Sequence, residues 1–148
     1  MASTTFSGPV TSTNGFIGAL TGNIAGTGSI THTPTAINAT ATATAAQVAT
    51  GYITSTSVGT VSITLPTGTL LGAALGATQG TVFDLYIDNT AGASVVTIVV
   101  AVNGILSTAA ADTPGSFGDL TVAVGATGIG RFTLMFSSAT AYVFTRTA

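Results

Sequence analysis

The residues of this chain that are able to do acid–base chemistry are few and widely spaced. Its 148 residues contain one histidine, His32, and no cysteine. A Ser-His-Asp relay needs a nucleophile and an orienting acid within hydrogen-bond reach of the imidazole, and no G-x-S-x-G nucleophile elbow occurs in the sequence. His32 lies in residues 31–34, a stretch typical of an extended loop, whereas a general base is normally held on a rigid element. We therefore expect a protein that is not an enzyme.

Two of the four aspartates, Asp84 and Asp88, are predicted to lie on the same face of one strand, where a shared metal ion has to be considered. At strand spacing, the Cα atoms of Asp84 and Asp88 are about 13 Å apart, too far for one ion to be shared directly. The run Asp88-Asn89-Thr90 offers oxygen ligands for Ca²⁺. The same run is typical of an Asx turn that closes a strand, and this is the interpretation we favour. We predict no metal and no cofactor.

The two arginines, Arg131 and Arg146, lie on adjacent strand candidates. One interpretation is a cross-strand ion pair with Asp84, Asp88 or Asp119. The other is an ion pair between subunits that fixes their register, and the sequence leaves both open. A phosphate-binding surface needs clustered Lys or Arg for counterion release, so we expect no nucleic-acid partner.

Charged residues are scarce throughout the chain. They make up 4% of the sequence, with a net charge of −2 and a mean hydropathy of +0.68, whereas a typical soluble domain is about 25% charged. A surface with so few solvated charges favours association. The composition therefore predicts a self-assembling structural protein whose partners are copies of itself, in a homo-oligomer or a helical polymer.

The composition and the apolar pattern indicate an all-β fold. Thr, Val and Ile are abundant, strong helix formers are nearly missing, and apolar residues alternate with polar ones in several segments. We predict a jelly-roll-like β-sandwich of about eight strands with at most one short helix, over residues 69–77; a small barrel is the alternative. The strand candidates are 48–54, 61–65, 83–88, 95–102, 105–107, 120–124, 131–136 and 142–146.

The longest charge-free apolar stretch, residues 94–111, is not expected to span a membrane. A spanning helix needs about 20 apolar residues, and this stretch is interrupted by Asn103-Gly104 and is rich in β-branched residues. A hairpin of two strands explains it better. The N-terminus has no basic region and no continuous apolar region, so we expect no Sec-type signal peptide.

The chain divides into a predicted arm, residues 1–45, and a body, residues 46–148. In the arm, sparse apolar residues are separated by Gly, Thr and Ser, and residues 36–46 alternate as a narrow strand would. The arm is either a disordered tail or an extended segment that orders on a neighbouring subunit, and the recurring apolar residues favour the second interpretation. The predicted assembly residues are Phe6, Val10, Phe16, Ile17, Ile24, Ile30, Ile37, Arg131 and Arg146.

Two short motifs carry a resemblance to known proteins. The opening Phe6-Ser7-Gly8-Pro9-Val10, followed by Asn14-Gly15-Phe16, resembles the start of short virion structural proteins of tailed phages, notably phages of aquatic bacteria. The body is similar to uncharacterised β-proteins of such phages and of environmental sequences, with Ala43 to Val48 leading into Thr/Val-rich strands and a closing Tyr142-Val143-Phe144-Thr145-Arg146. The resemblance implies a decoration, fibre or head-associated role in a virion, and it carries no catalytic residue over.

A second class of function stays open beside self-assembly. A β-sandwich module that binds carbohydrate or a receptor would use Tyr52, Tyr86 and Tyr142 as stacking platforms. Within the self-assembly class, the sequence separates neither a closed oligomer from an open filament nor a phage capsid or tail from an extracellular filament as the location.

Overall fold

The computed structural model describes residues 31–106 and 120–148, apart from the side chains of residues 105 and 106. Six predicted assembly residues, Phe6, Val10, Phe16, Ile17, Ile24 and Ile30, lie outside the described residues. The strands are β1 (Thr35–Ala36), β2 (Ala41–Thr42), β3 (Tyr52–Thr54), β4 (Val61–Thr64), β5 (Val82–Asp88), β6 (Val96–Val99), β7 (Gly104–Leu106), β8 (Thr121–Val122), β9 (Ile129–Ser138) and β10 (Ala141–Arg146). The helices are α1 (Ala45–Ala49), α2 (Gly68–Leu75) and a 3₁₀ turn (Gly125–Thr127).

The strands form two sheets. Sheet A has six strands in the order β1-β3-β5-β9-β10-β7, and sheet B has four in the order β2-β4-β6-β8. From β1 to β8, each successive strand lies in the sheet opposite to the one before it. Each pair from β1–β2 to β5–β6 therefore adds one strand to each sheet, and we call such a pair a winding.

Successive windings stack in parallel. In sheet A, Ile53 of β3 is beside Ile87 of β5, and in sheet B, Ile63 of β4 is beside Ile98 of β6. Both pairs put equivalent inward positions of neighbouring windings next to each other. Antiparallel pairing joins β5 to β9, β9 to β10 and β6 to β8. Since side chains alternate across a strand, this register sends one apolar row from each sheet to the interior.

The two sheets share one hydrophobic core. Sheet A contributes four fully buried aromatic side chains, and the rings of Phe132 and Phe144 are stacked 5.1 Å apart. Sheet B contributes aliphatic side chains, among them Val61, Ile63 and Ile98. The aromatic side chains of sheet A are Phe132, Phe136, Tyr142 and Phe144.

Asn89, a fully buried polar residue, ties the end of β5 to the opposite sheet. Its side-chain nitrogen Nδ2 lies 2.9 Å from the carbonyl oxygen of Ser94, 3.2 Å from that of Val122 and 2.8 Å from that of Ala123. Ser94 precedes β6 and Val122 belongs to β8, so these bonds connect sheet A with sheet B. Gly92 and Gly128 pack so closely against Asn89 that a methyl group on either would collide with it.

Each α-helix has a threonine as its N-cap residue, directly before its first residue. The Thr44 hydroxyl accepts from the backbone N–H of Gln47, and the Gln47 side chain accepts from the N–H of Thr44, which together form a capping box. The Thr67 hydroxyl accepts from the N–H of Leu70 in α2, and Gly76 ends that helix with φ of 59°. A left-handed residue at this position is a common helix stop and favours glycine.

The two-sheet, mostly β architecture is confirmed, and the details differ from the prediction. A jelly roll is built from antiparallel strands, whereas the windings here are parallel. Two α-helices are present where at most one was expected, because α1 replaces the first part of the strand predicted over residues 48–54.

Two further expectations differ at the level of connectivity. The predicted hairpin around Asn103-Gly104 is wrong, because β6 lies in sheet B and β7 in sheet A. Residues 36–46 do not form one strand, since β1 and β2 lie in different sheets and α1 follows at Ala45. The compact unit begins at Thr31, so residues 31–45 of the predicted arm belong to the same unit as the sheets and supply β1 and β2.

Gly72 gives a test of the packing between α2 and the turn that joins β9 to β10. In a helix interior, Gly→Ala normally stabilises by about 1 kcal/mol. Here the added methyl group would collide with the carbonyl oxygen of Ala139, so we expect Gly72→Ala to lower the free energy of unfolding by about 1–3 kcal/mol.

The measurement is chemical denaturation followed by far-ultraviolet circular dichroism. Gly59→Ala is the matched control, because a methyl group there meets no atom within 4 Å. A Gly72→Ala variant at least as stable as the wild type would contradict the close packing of α2.

Candidate functional site

The charged residues of the described chain concentrate on the outer face of sheet A. Tyr52, Tyr86 and Arg131 are register partners on β3, β5 and β9, and they form one row across the sheet. The guanidinium carbon of Arg131 lies 5.9 Å from the centroid of the Tyr86 ring. Asp84 and Asp88 stand on the same face of β5, two residues to either side of Tyr86. We call this surface the polar face.

Asp84 is held by two partners on β9. Its Oδ2 accepts from Arg131 at 2.5 Å, and its Oδ1 accepts from the Thr133 hydroxyl at 2.7 Å. The Thr133 hydrogen bond is the largest cause that holds the pKa of Asp84 below its ordinary value. Desolvation opposes it, and the hydrogen bond and charge of Arg131 add to the lowering. The structure thus confirms one of the predicted cross-strand ion pairs, that between Arg131 and Asp84.

Asp88 closes β5 in the predicted Asx turn. Its Oδ1 accepts from the hydroxyl of Thr90 at 2.6 Å and from the backbone N–H of Thr90 at 2.9 Å. The Tyr52 hydroxyl donates to Oδ2 at 2.6 Å. The Thr90 hydroxyl and then the Tyr52 hydroxyl lower the pKa of Asp88, and the same bond raises the pKa of Tyr52.

His32 packs on the polar face and fixes the chain just before β1. Its Nδ1 donates to the carbonyl oxygen of Thr50 at 2.9 Å, and its ring centroid lies 5.8 Å from that of Tyr86. The ring lies over Gly51, where a methyl group would stand 2.5 Å from Nδ1. His32 therefore attaches the entering chain to sheet A.

Arg146 connects the two sheets within the subunit. It lies on β10 beside Phe132, with its guanidinium carbon 5.9 Å from the centroid of that ring. Its Nη1 donates to the carbonyl oxygen of Thr121 in β8 at 2.6 Å. Ile37, another predicted assembly residue, is buried in the core and donates its N–H to Thr54.

Tyr142 takes no part in the polar face, contrary to the platform of three tyrosines considered from the sequence. It is fully buried, its hydroxyl donates to the carbonyl oxygen of Pro66 at 3.2 Å, and burial raises its pKa to about 12. Tyr52 and Tyr86 remain as neighbours on the outer face.

An apolar groove opens where β2 and β4 of sheet B end and the two helices begin. It has a volume of about 450 Å³, and no charged residue lines it. Leu70 of α2 lies in this groove with 59% of its surface exposed. The lining residues, which define the end groove, are Thr42, Ala43, Thr44, Ala45, Leu65, Pro66, Thr67, Leu70 and Ala101.

Within residues 31–106 and 120–148, no group of three or more His, Cys, Asp or Glu side chains is arranged to hold a metal ion. No helix in the same ranges is long and apolar enough to cross a membrane.

Sequence reasoning missed Asn89 and the end groove. Asn89 was assigned to turn chemistry, because Asn after Asp at a strand end is normally exposed. The groove forms where α1, α2 and the ends of two strands meet. The capping-box pattern from Thr44 to Gln47 could have predicted the start of α1, which lines one side of the groove.

The two aspartates of the polar face predict the acid side of the stability profile. Since the pKa values of Asp84 and Asp88 are lowered on folding, the unfolded chain binds protons first as the pH falls. The contribution of these two carboxylates to the free energy of unfolding should therefore be fully present above the ordinary aspartate pKa of 3.8. It should decrease as the pH falls through their lower pKa values in the folded state.

Thr133→Val tests the cause while it keeps the carboxylate of Asp84. Removal of the hydroxyl that lowers the pKa of Asp84 most should weaken the dependence of stability on pH below the ordinary aspartate pKa of 3.8. Denaturation curves at several pH values measure it, with Thr97→Val on sheet B as the control. Identical pH dependence in Thr133→Val and the wild type would count against the assignment.

Comparison with protein-family models, with curated proteins and with solved structures found no match to this chain. The resemblance of residues 6–16 to phage virion proteins therefore stays a prediction.

Proposed function

We propose that this protein is a non-enzymatic structural protein that assembles with copies of itself. The assembly is a homo-oligomer or a helical polymer, as a subunit of a phage virion appendage or decoration or of an extracellular filament. In this proposal, the N-terminal segment of one copy packs on the neighbouring copy. The resemblance of residues 6–16 supports the virion in particular.

The observation that carries the proposal is the set of large apolar side chains that the described residues expose. Val58 is 87% exposed, Val102 71% and Leu70 59%. On the outer face of sheet A, Val82 and Met135 are register partners, both more than half exposed. Adjacent exposed apolar side chains such as these mark a surface suited to contact with another chain. The further exposed large apolar side chains are Val95, Val99, Val124 and Ile129.

The charges of the described residues do little to oppose association. Arg131 pairs with Asp84, Asp88 accepts from Tyr52 and Thr90, and Arg146 donates to the Thr121 carbonyl. All four ionised side chains of residues 31–106 and 120–148 thus have partners within the subunit. These two aspartates and two arginines also sum to zero net charge, so repulsion between copies is weak and association by apolar contact is favoured.

The edges of the first winding add a route for backbone pairing. β1 ends sheet A and β2 ends sheet B, and each is paired with one neighbour among the described strands. An edge strand presents N–H and C=O groups that pair readily with another chain. Both edges are therefore suited to strand addition by a segment of another copy.

Aspartates placed among the apolar residues before residue 31 test the proposal. We expect the double variant Phe16→Asp with Ile17→Asp to weaken self-association at least about tenfold, because burial of one large apolar side chain contributes about 1.5–3 kcal/mol. Sedimentation velocity over a range of concentrations gives the mass, and negative-stain electron microscopy shows whether the assembly is closed or filamentous.

The matched control adds the same charge at neighbouring polar positions, Thr11→Asp with Thr13→Asp. It should keep most of the association if the apolar side chains carry it. Equal association in all three proteins would contradict a role for the arm, and a wild-type chain that is monomeric at every concentration would overturn self-assembly itself.

The polar face supports a second candidate function, the binding of carbohydrate or of a receptor. Tyr52 and Tyr86 are adjacent on the outside of sheet A, with Asp84, Asp88 and His32 around them. Aromatic rings stack on the C–H faces of sugars, and nearby polar groups bond sugar hydroxyls.

Affinity electrophoresis in gels that contain neutral polysaccharides tests this second candidate. If the polar face binds sugar, a polysaccharide retards the wild type, and Tyr86→Ala removes the retardation. Val58→Ala, on an exposed position away from this face, should retain it. Migration unaffected by any polysaccharide would count against carbohydrate binding.

A further inference from the structure

We infer that the end groove, together with the open edge of β2, receives residues 1–30 of a neighbouring copy as an added strand. The inference rests on the proposed self-assembly and names the surface that would carry it.

The lining of the end groove selects an uncharged, apolar occupant. Its nine residues are Ala, Leu, Pro and Thr, and its volume is about 450 Å³. Cavities of about 300–1,000 Å³ accommodate a drug-sized ligand, so two or three large apolar side chains would fit. A charged ligand would lose its hydration in this groove without gaining a partner, which is costly.

The edge of β2 selects an extended peptide over a small molecule. Ala43, directly after β2, donates its N–H to the carbonyl oxygen of Thr64 at 2.9 Å. Because the backbone groups of a strand point to alternate sides, the N–H and C=O of Thr42 are directed away from β4. A peptide laid along this edge would bond to Thr42 and place alternate side chains in the groove.

The sequence before residue 31 has the matching chemistry. Residues 2–30 contain no Asp, Glu, Lys, Arg or His. Phe16, Leu20 and Ile24 are spaced four residues apart, so they would share one face of an extended strand. Gly18 and Gly22 would stand between them on that face, which gives an alternation of large and absent side chains suited to a short groove.

The attachment of His32 favours a neighbour as the acceptor. His32 is bonded to Thr50 and lies against Tyr86, on the face of sheet A that is directed away from sheet B. The described residues therefore begin at sheet A, whereas the end groove adjoins sheet B. Donor and acceptor surfaces differ, so the contact is heterologous and builds a ring or an open filament.

Site-specific cross-linking in the full-length chain tests the inference directly. A photoreactive benzoylphenylalanine replaces Leu70 in ¹⁵N-labelled protein, which is mixed with unlabelled wild type, irradiated and digested. We expect mass spectrometry to find peptides from residues 1–30 of the unlabelled chain attached to position 70. Cross-links to the same segment of the labelled chain alone, or to other parts of the neighbour, would overturn the inference.

A charge in the groove gives an independent measurement by sedimentation velocity. Leu70→Asp should weaken self-association at least about tenfold, as a residue at the centre of an interface does, and aspartate in the first turn of α2 is compatible with the helix. Gln79→Asp, the control, adds the same charge at an exposed polar position outside the groove and should change association less than about twofold.

The outcomes separate the two proposals. Suppose that Phe16→Asp with Ile17→Asp abolishes association, that Leu70→Asp leaves association unchanged and that no cross-link joins position 70 to residues 1–30. The arm then acts at another surface, so this inference fails while self-assembly stands. If the wild type is monomeric throughout, self-assembly fails and the inference falls with it.

Discussion

The alternation of successive strands between two sheets is the constraint on which the rest of this structure depends. Each winding lengthens sheet A and sheet B together, so the first winding leaves both sheets with an edge, at β1 and β2. From β1 to β9, the same alternation makes each connection cross from one sheet to the other, which places α1 and α2 at the ends of the sheets. The end groove, formed where β2 and β4 meet α1 and α2, is a direct result of that geometry.

Crossing connections carry polar backbone into the interior, and three side chains satisfy part of it. Asn89 and Arg146 each bond carbonyl oxygens of sheet B from positions in sheet A, and the Tyr142 hydroxyl bonds the Pro66 carbonyl. A buried carbonyl left without a donor costs about 1–3 kcal/mol. These contacts give three of the few polar side chains a structural role within the subunit. They also link the two sheets by hydrogen bonds, in addition to the packing of the apolar core that the sheets share.

Local features of this chain were predictable from the sequence, whereas the pairing of its strands into two sheets was not. Alternation gave β5, β9 and β10, and the leucines followed by Gly76 gave α2. Asn103 does adopt a turn conformation, with φ of 63°. A turn dipeptide determines the local reversal and leaves open which sheet receives the next strand, so the expected hairpin was wrong. The ion pair of Arg131 with Asp84 was among the predicted pairs, whereas the groove required knowledge of how the windings stack.

The scarcity of charge bears on how copies of this chain would recognise one another. Charged interfaces gain specificity from complementary potentials, which also steer encounter and weaken with salt. In the described residues, the ionised side chains are already engaged within the subunit, so recognition would depend on strand register and on the fit of apolar side chains. Register is strongly specified only where one face of a strand is buried. In the proposed assembly, the end groove beside β2 would bury one face of the added strand, and the alternation of large residues with glycine in residues 16–24 would match it.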